Sequence, residues 1–84
     1  MNPADFAPRR AAFRKLHESG CFMLPNPWDP GSARALQQLG FKALATTSSG
    51  FAWSRAHADN AMDVDAVLAH CRAIVEATEL PVNA

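Results

Sequence analysis

The sequence predicts an α/β fold with parallel strands joined by helical crossovers. Two observations carry this. Short apolar runs of strand length alternate with capped segments of helical periodicity, in the order helix, strand-helix, strand-helix, strand. The runs are continuously apolar rather than alternating, as in parallel strands buried on both faces. The connections are then expected to be right-handed. Three parallel strands do not close a barrel, and the chain stops within a strand at Ala84. The reading is therefore the N-terminal piece of a larger α/β protein.

Each element follows from its residues. Asp5 to Ser19 is expected to be helical, with Asp5 as cap, Pro8 in the first turn and Gly20 after the end. Phe6, Phe13 and Leu16 supply its apolar groups, and Arg9, Arg10, Arg14 and Lys15 its solvated face. Cys21 to Leu24 reads as the first strand, ended by Pro25-Asn26-Pro27. Asp29 then caps a helix with Pro30 at its first position, and Gly40 stops it. Phe41 to Thr46 is the second strand, and Thr47-Ser48-Ser49-Gly50 a polar turn. Phe51 to Met62 has no period and reads as a loop with at most a short helical turn. Asp63 caps a third helix to about Thr78, whose buried face is expected to carry Val64, Val67, Leu68, Cys71, Ile74 and Val75. Glu79 to Ala84 begins the third strand.

Composition narrows the function. Hydrophobic residues make up 49% and charged residues 19%, which suits a globular domain rather than a disordered tail. Eight basic residues balance eight acidic ones, so there is no basic field for nucleic acid or an anionic membrane. No apolar run approaches the ~18 residues needed to span a bilayer. No secretory signal is visible at Met1 to Asp5. Cys21 and Cys71 suit neither a disulfide framework nor a zinc site, and read as buried reduced thiols of a cytoplasmic protein.

Parallel α/β folds gather their chemistry at the carboxyl ends of the strands. Thr46 to Gly50 lies at such an end. Its small hydroxyls, N–H groups and glycine can surround a carboxylate or phosphate, or form a plain polar turn. Asp59, in the aperiodic segment at the same end, can hold Mg²⁺ directly or through water, or be a solvated acid. His57 beside it is half of an acid–base pair without a nucleophile. Trp28 and Trp53 fit a core or a pocket mouth, and His17 and His70 read as structural or solvated helix residues.

Three strings resemble the isocitrate lyase/phosphoenolpyruvate mutase family. Leu24-Pro25-Asn26-Pro27-Trp28-Asp29-Pro30-Gly31-Ser32-Ala33-Arg34 is similar to its Asn-x-Trp-Asp-x-x-Ser-Ala-Arg segment. Leu39 to Gly50 resembles its second strand and substrate loop, and Leu80-Pro81-Val82-Asn83-Ala84 the lead-in to its metal-binding strand. The resemblance implies a TIM-type (β/α)₈ barrel, of which this chain is the N-terminal βαβαβ portion. Residues 1–84 would then be part of one barrel domain with no internal boundary. It also implies an Mg²⁺-dependent lyase or mutase acting on small α-oxo or enolate-forming carboxylic acids, most often by C–C bond cleavage, and a homo-oligomer when full length. Thr47, Ser48 and Ser49 fall on the carboxylate loop. Asp59 falls on an acid that helps hold the metal through its water shell. The catalytic residues and main metal ligands are expected beyond Ala84, so the 84 residues alone are expected to be inactive. The competing reading is a non-catalytic fragment or pseudoenzyme that binds a partner subunit through its open sheet edge.

Overall fold

The computed structural model describes residues 6–84, and the expected Asp5 cap lies outside them. The first helix, α1, spans Ala7–Leu16, starting at Phe6 without a side-chain cap. It stops short of the expected Ser19. His17 turns back on it, with its ring Nδ1 2.8 Å from the Phe13 carbonyl, which can only accept, so the ring proton sits on Nδ1.

Cys21 to Leu24, expected as a strand, forms no ladder. The cause lies in the two prolines that follow. Ala45 donates its N–H to the Pro25 carbonyl at 3.0 Å. In a parallel ladder the reciprocal bond to the Ala45 carbonyl would come from the N–H of residue 27, and Pro27 has none. The side-chain amide of Asn26 fills the place, donating to the Ala45 carbonyl at 3.2 Å. The segment thus sits beside the sheet, as the order of elements requires, held by one backbone bond and one substitute. Cys21, expected to be buried, is exposed, and Cys71 is half-buried; both are free thiols.

The second helix, α2, spans Pro30–Gln38. Asp29 caps it in a reciprocal box. Its Oδ1 accepts from Ser32 N–H at 2.7 Å, and Ser32 Oγ accepts from Asp29 N–H at 3.2 Å. Gly40 ends it with φ +98°, while Gly40 and Phe41 donate to the carbonyls of Gln37 and Leu36.

Strand β1 is Leu44–Ala45, shorter than the expected Phe41–Thr46. It pairs in parallel with β2, Val82–Asn83, with Leu44 opposite Val82 and Ala45 opposite Asn83. The parallel arrangement is therefore present, through these two strands. Between them lie two helices. The first, α3, spans Ser48–Ser54. It replaces both the expected polar turn and the start of the expected loop. Ser, Ser and Gly are weak helix formers, but Phe51 and Ala52 are buried, and that packing outweighs propensity. The second, α4, spans Val64–Ala77, with Asp63 Oδ1 accepting from Ala66 N–H at 2.8 Å.

The buried stripe of α4 is rotated from the expected one. His70 and Ile74 are buried, whereas Val64 and Leu68 are 72% and 61% exposed. The core is small: Ala33 of α2, Leu44 of β1 and Ile74 of α4, backed by Leu36, Ala77, Leu80 and Val82. No basic residue lies in the last turn of α4. Arginines from elsewhere take its last carbonyls instead. Arg9 Nη1 donates to the Val75 carbonyl and, beyond the helix, to that of Leu80, and Arg34 Nε to that of Ala77. Arg9, expected to be solvated, is therefore half-buried and ties α1 to the far end of the sheet. No helix among the described residues is long and apolar enough to cross a membrane.

Candidate functional site

The carboxyl end of β1 leads directly into the turn that begins α3. Thr46 N–H still belongs to the ladder, donating to Asn83 at 2.9 Å. The next residue, Thr47, is the N-cap. Its Oγ1 accepts from Gly50 N–H at 3.2 Å, shares a hydrogen bond with Ser49 Oγ at 3.3 Å, and its carbonyl accepts from Phe51 N–H at 3.0 Å. Ser48 and Ser49 are the first two helical residues, where backbone N–H groups have no intrahelical acceptor. Neither amide has a hydrogen-bond partner among the described residues.

Gly50 is required by a close approach. A Cβ there would lie 2.6 Å from Cδ1 of Trp28 and 2.7 Å from Cγ2 of Thr47, and would press on Trp28 Nε1. The indole of Trp28 therefore rests on the first turn of α3. Trp28 also meets Trp53 edge to face at 6.2 Å, and both remain partly exposed.

Asp59 is brought to the same turn. Its Oδ1 accepts from Ser48 Oγ at 3.2 Å and from Asn60 N–H at 3.0 Å. The approach is made possible by two left-handed residues in the connecting loop, Ala56 (φ 59°) and Asn60 (φ 69°). Ala56 follows α3 as glycine usually would, with Ala56 and His57 donating to the carbonyls of Trp53 and Ala52. His57 does not pair with Asp59. Its Nδ1 lies 2.7 Å from the Arg55 carbonyl, and it faces solvent. Asp29 serves as a cap, and the Ser32 N–H and hydroxyl hold its carboxyl below the ordinary range.

The donor set can be weighed against Mg²⁺. A carboxylate oxygen and a serine hydroxyl are hard donors of the right kind. No group of three His, Cys, Asp or Glu side chains gathers among the described residues. They fit a peripheral contact to the ion, made through water, and not a complete coordination sphere.

The sequence did not single out His70 as a site residue. Its ring stacks on Phe51 at 4.0 Å and 14°, it is 8% exposed, and its Nε2 is buried without a hydrogen-bond partner among the described residues. Burial, and next the Arg55 charge, push its pKa down, against a smaller opposing pull from Asp29. The signal was present: His70 lies three residues after Val67 and four before Ile74, on the inward stripe. A cavity of about 350 Å³ opens beside it, lined among others by Trp28, Asp29, Arg55 and Met62.

Comparison with known proteins places this geometry. The family model for phosphoenolpyruvate phosphomutase matches residues 13–84. The chain belongs to this family. In fold it is similar to a candidate lyase/mutase of Burkholderia cenocepacia J2315, with 52% identity and TM-score 0.89 over 93% of this chain. A candidate phosphonomutase of the same strain shows 39% identity and TM-score 0.81 over 88% of this chain. Among curated sequences, the uncharacterized protein Rv1998c of Mycobacterium tuberculosis is 47% identical over 49 residues, 57% of this chain. The chain spans 28% and 31% of the two solved chains and 19% of the curated relative. The fold is thus the α/β fold of lyase/mutase proteins, and the family is one of lyase/mutase-type enzymes.

Proposed function

We propose that this chain supplies the substrate-carboxylate turn, and one acid at the edge of the metal site, to an Mg²⁺-dependent lyase or mutase. Its substrates are small α-oxo or enolate-forming carboxylic acids, and C–C bond cleavage is the expected reaction. The observation that carries the reading is the 3.2 Å contact between Ser48 Oγ and Asp59 Oδ1 at the carboxyl end of β1. It joins two segments that the resemblance assigns separately to substrate and metal.

The roles combine the family resemblance with this geometry. The free N–H groups of Ser48 and Ser49 would bind the substrate carboxylate, aided by the hydroxyl proton of Thr47. Those donors are fixed by the cap before substrate arrives, so little reorganisation accompanies charge development. Asp59 would hold the ion through its water shell, oriented by Ser48. Mg²⁺, when bound, supplies Lewis-acid stabilisation of an enolate oxygen. The other ligands and the catalytic groups would come from the part of the family fold that this chain does not span. The 84 residues alone are then inactive, because one carboxylate cannot replace a multi-ligand site. The full-length protein is a homo-oligomer in this reading, and exposed Val64 and Leu68 are surface that the rest of the fold or a second subunit would cover. The two free thiols support a cytoplasmic setting.

Steady-state kinetics of the full-length protein across Mg²⁺ concentrations tests the assignment. Thr47→Ala should lower kcat/KM by roughly 10- to 150-fold, the value of one hydrogen bond to a charged group. Asp59→Asn should raise the Mg²⁺ concentration needed for half-maximal rate. A neutral Thr47→Ala, together with an Asp59→Asn that alters only substrate KM, would refute it.

A further inference from the structure

The first turn of α3 is clamped from two sides. Trp28 presses on Gly50 from the start of α2. His70 lies flat on Phe51 from α4. Phe51 N–H closes the first helical hydrogen bond onto the Thr47 carbonyl at 3.0 Å, so the seat of the Phe51 ring fixes that turn. The stack places the two rings almost parallel, at 14°, with His70 more than nine-tenths buried. His70 Nε2 has no hydrogen-bond partner among the described residues. A proton there would be buried without a partner, at a cost paralleling that of any unpaired buried charge. Arg55, at the end of α3, lies over the other partner in the stack, with its guanidinium 5.6 Å from the Phe51 ring centroid. The charged groups facing the imidazole are Arg55 from α3 and Asp29 from the start of α2. Arg55 opposes protonation and Asp29 favours it, and burial adds to the opposition.

We infer that His70 is a positioning residue for the Thr47–Ser49 turn, acting through Phe51, and that the turn is seated only while the imidazole is neutral. Protonation would place a charge on a ring whose buried Nε2 has no partner among the described residues and which shares Phe51 with the Arg55 guanidinium. The ring must then move toward the cavity and Asp29, releasing Phe51 and with it the first turn of α3. That this turn grips a substrate carboxylate rests on the reading above; the link from His70 to the turn does not.

The test is a titration of the full-length protein from about pH 8 to about pH 5, the range in which histidine changes charge. It is followed by NMR of the His70 ring and of the Ser48, Ser49 and Gly50 amides, with no substrate present. The wild-type protein should move all four signals with one shared midpoint below about 6.5. His70→Phe keeps an aromatic stack and cannot ionise, so its three amides should hold their high-pH positions throughout. His70→Ala, which loses the stack, should displace the amides at every pH. The inference is overturned by amides that titrate in His70→Phe, by a His70 that ionises while the amides stay still, or by four silent signals. Since turnover is not read, failure here is separable from failure of the proposed reaction, which Mg²⁺-dependent kinetics tests.

Discussion

Two helices of this chain begin just after extended segments beside the sheet, and they use their first polar side chains in opposite ways. At α2, Asp29 and Ser32 turn on each other, with three bonds between them and no side-chain bond reaching a distant segment. At α3, Thr47 caps Gly50, but Ser48 reaches outward to Asp59, and the Ser48 and Ser49 N–H groups have no partner among the described residues. A start that closes on itself serves the fold. A start that leaves donors open, and ties a hydroxyl to a distant acid, has capacity to spare for a ligand. The contrast extends to the glycines. Gly31 in α2 meets only Asp29 Oδ1 at 3.6 Å, an ordinary contact, whereas Gly50 in α3 has no room for a methyl group.

The glycines give the largest effect. Gly50→Ala must displace Trp28 or the turn itself, and overpacking of this kind costs about 1–3 kcal/mol. Gly31→Ala has room, and replacing a helical glycine should stabilise by roughly 0.5–1 kcal/mol. Urea unfolding of both variants, side by side, would show opposite signs. A stable Gly50→Ala would mean that Trp28 does not hold the turn.

Next come the caps. Asp29→Ala should cost about 0.5–2 kcal/mol of stability. It should also flatten the acid limb of the stability curve. The depressed Asp29 pKa means that the folded state holds its proton less tightly than the unfolded chain does, so its contribution is present above the ordinary carboxylate range and fades as pH falls through the folded value.

His70 should act over a different range. Its pKa is depressed on folding, so the unfolded chain takes up the proton first as pH falls. Stability attached to the neutral ring is full above about pH 6.5 and declines below it until the folded state also protonates. Thermal melts across pH should show this decline in the wild-type protein, and His70→Phe should lack it. An identical pH profile in the variant would remove His70 from the account of α3.

What was legible in the sequence was the local chemistry. Asp29, Pro30, Gly40 and Asp63 mark their helix ends because caps depend on neighbours two to four residues away. The meeting of Ser48 with Asp59 was approached, since both were placed at one end of the sheet, but their contact was not. Three other features depended on distant partners and stayed hidden. The helix at Ser48–Ser54 is stabilised by burial of Phe51 against His70, which lies in another helix. The ladder at Pro25 fails for want of one N–H at Pro27, visible only once Ala45 is known to lie alongside. The inward face of α4 turns toward His70 and Ile74 because α2 and β1 lie there, and periodicity alone admitted a stripe rotated toward Leu68.

The smallest expected effect on stability decides most about function. Ser48 and Ser32 each place a hydroxyl in the first turn of a helix, and each pairs with an aspartate system. Ser32 Oγ accepts from the backbone N–H of Asp29 and donates to its carbonyl, so Ser32→Ala removes bonds internal to the fold and should cost about 0.5–1.5 kcal/mol. Ser48 is exposed, and its one bond ends on a solvent-facing carboxylate. Ser48→Ala should therefore shift stability by no more than about 0.5 kcal/mol. If Ser48 orients Asp59 toward the metal's water shell, the same variant should raise the Mg²⁺ concentration needed for half-maximal rate, while Ser32→Ala leaves it unchanged. The two measurements are unfolding in urea and activity of the full-length protein across Mg²⁺ concentrations. A Ser48→Ala variant with wild-type metal dependence would make the Ser48–Asp59 contact a surface hydrogen bond and no more. It would also leave the two helix starts equivalent in purpose, differing only in how completely they satisfy themselves.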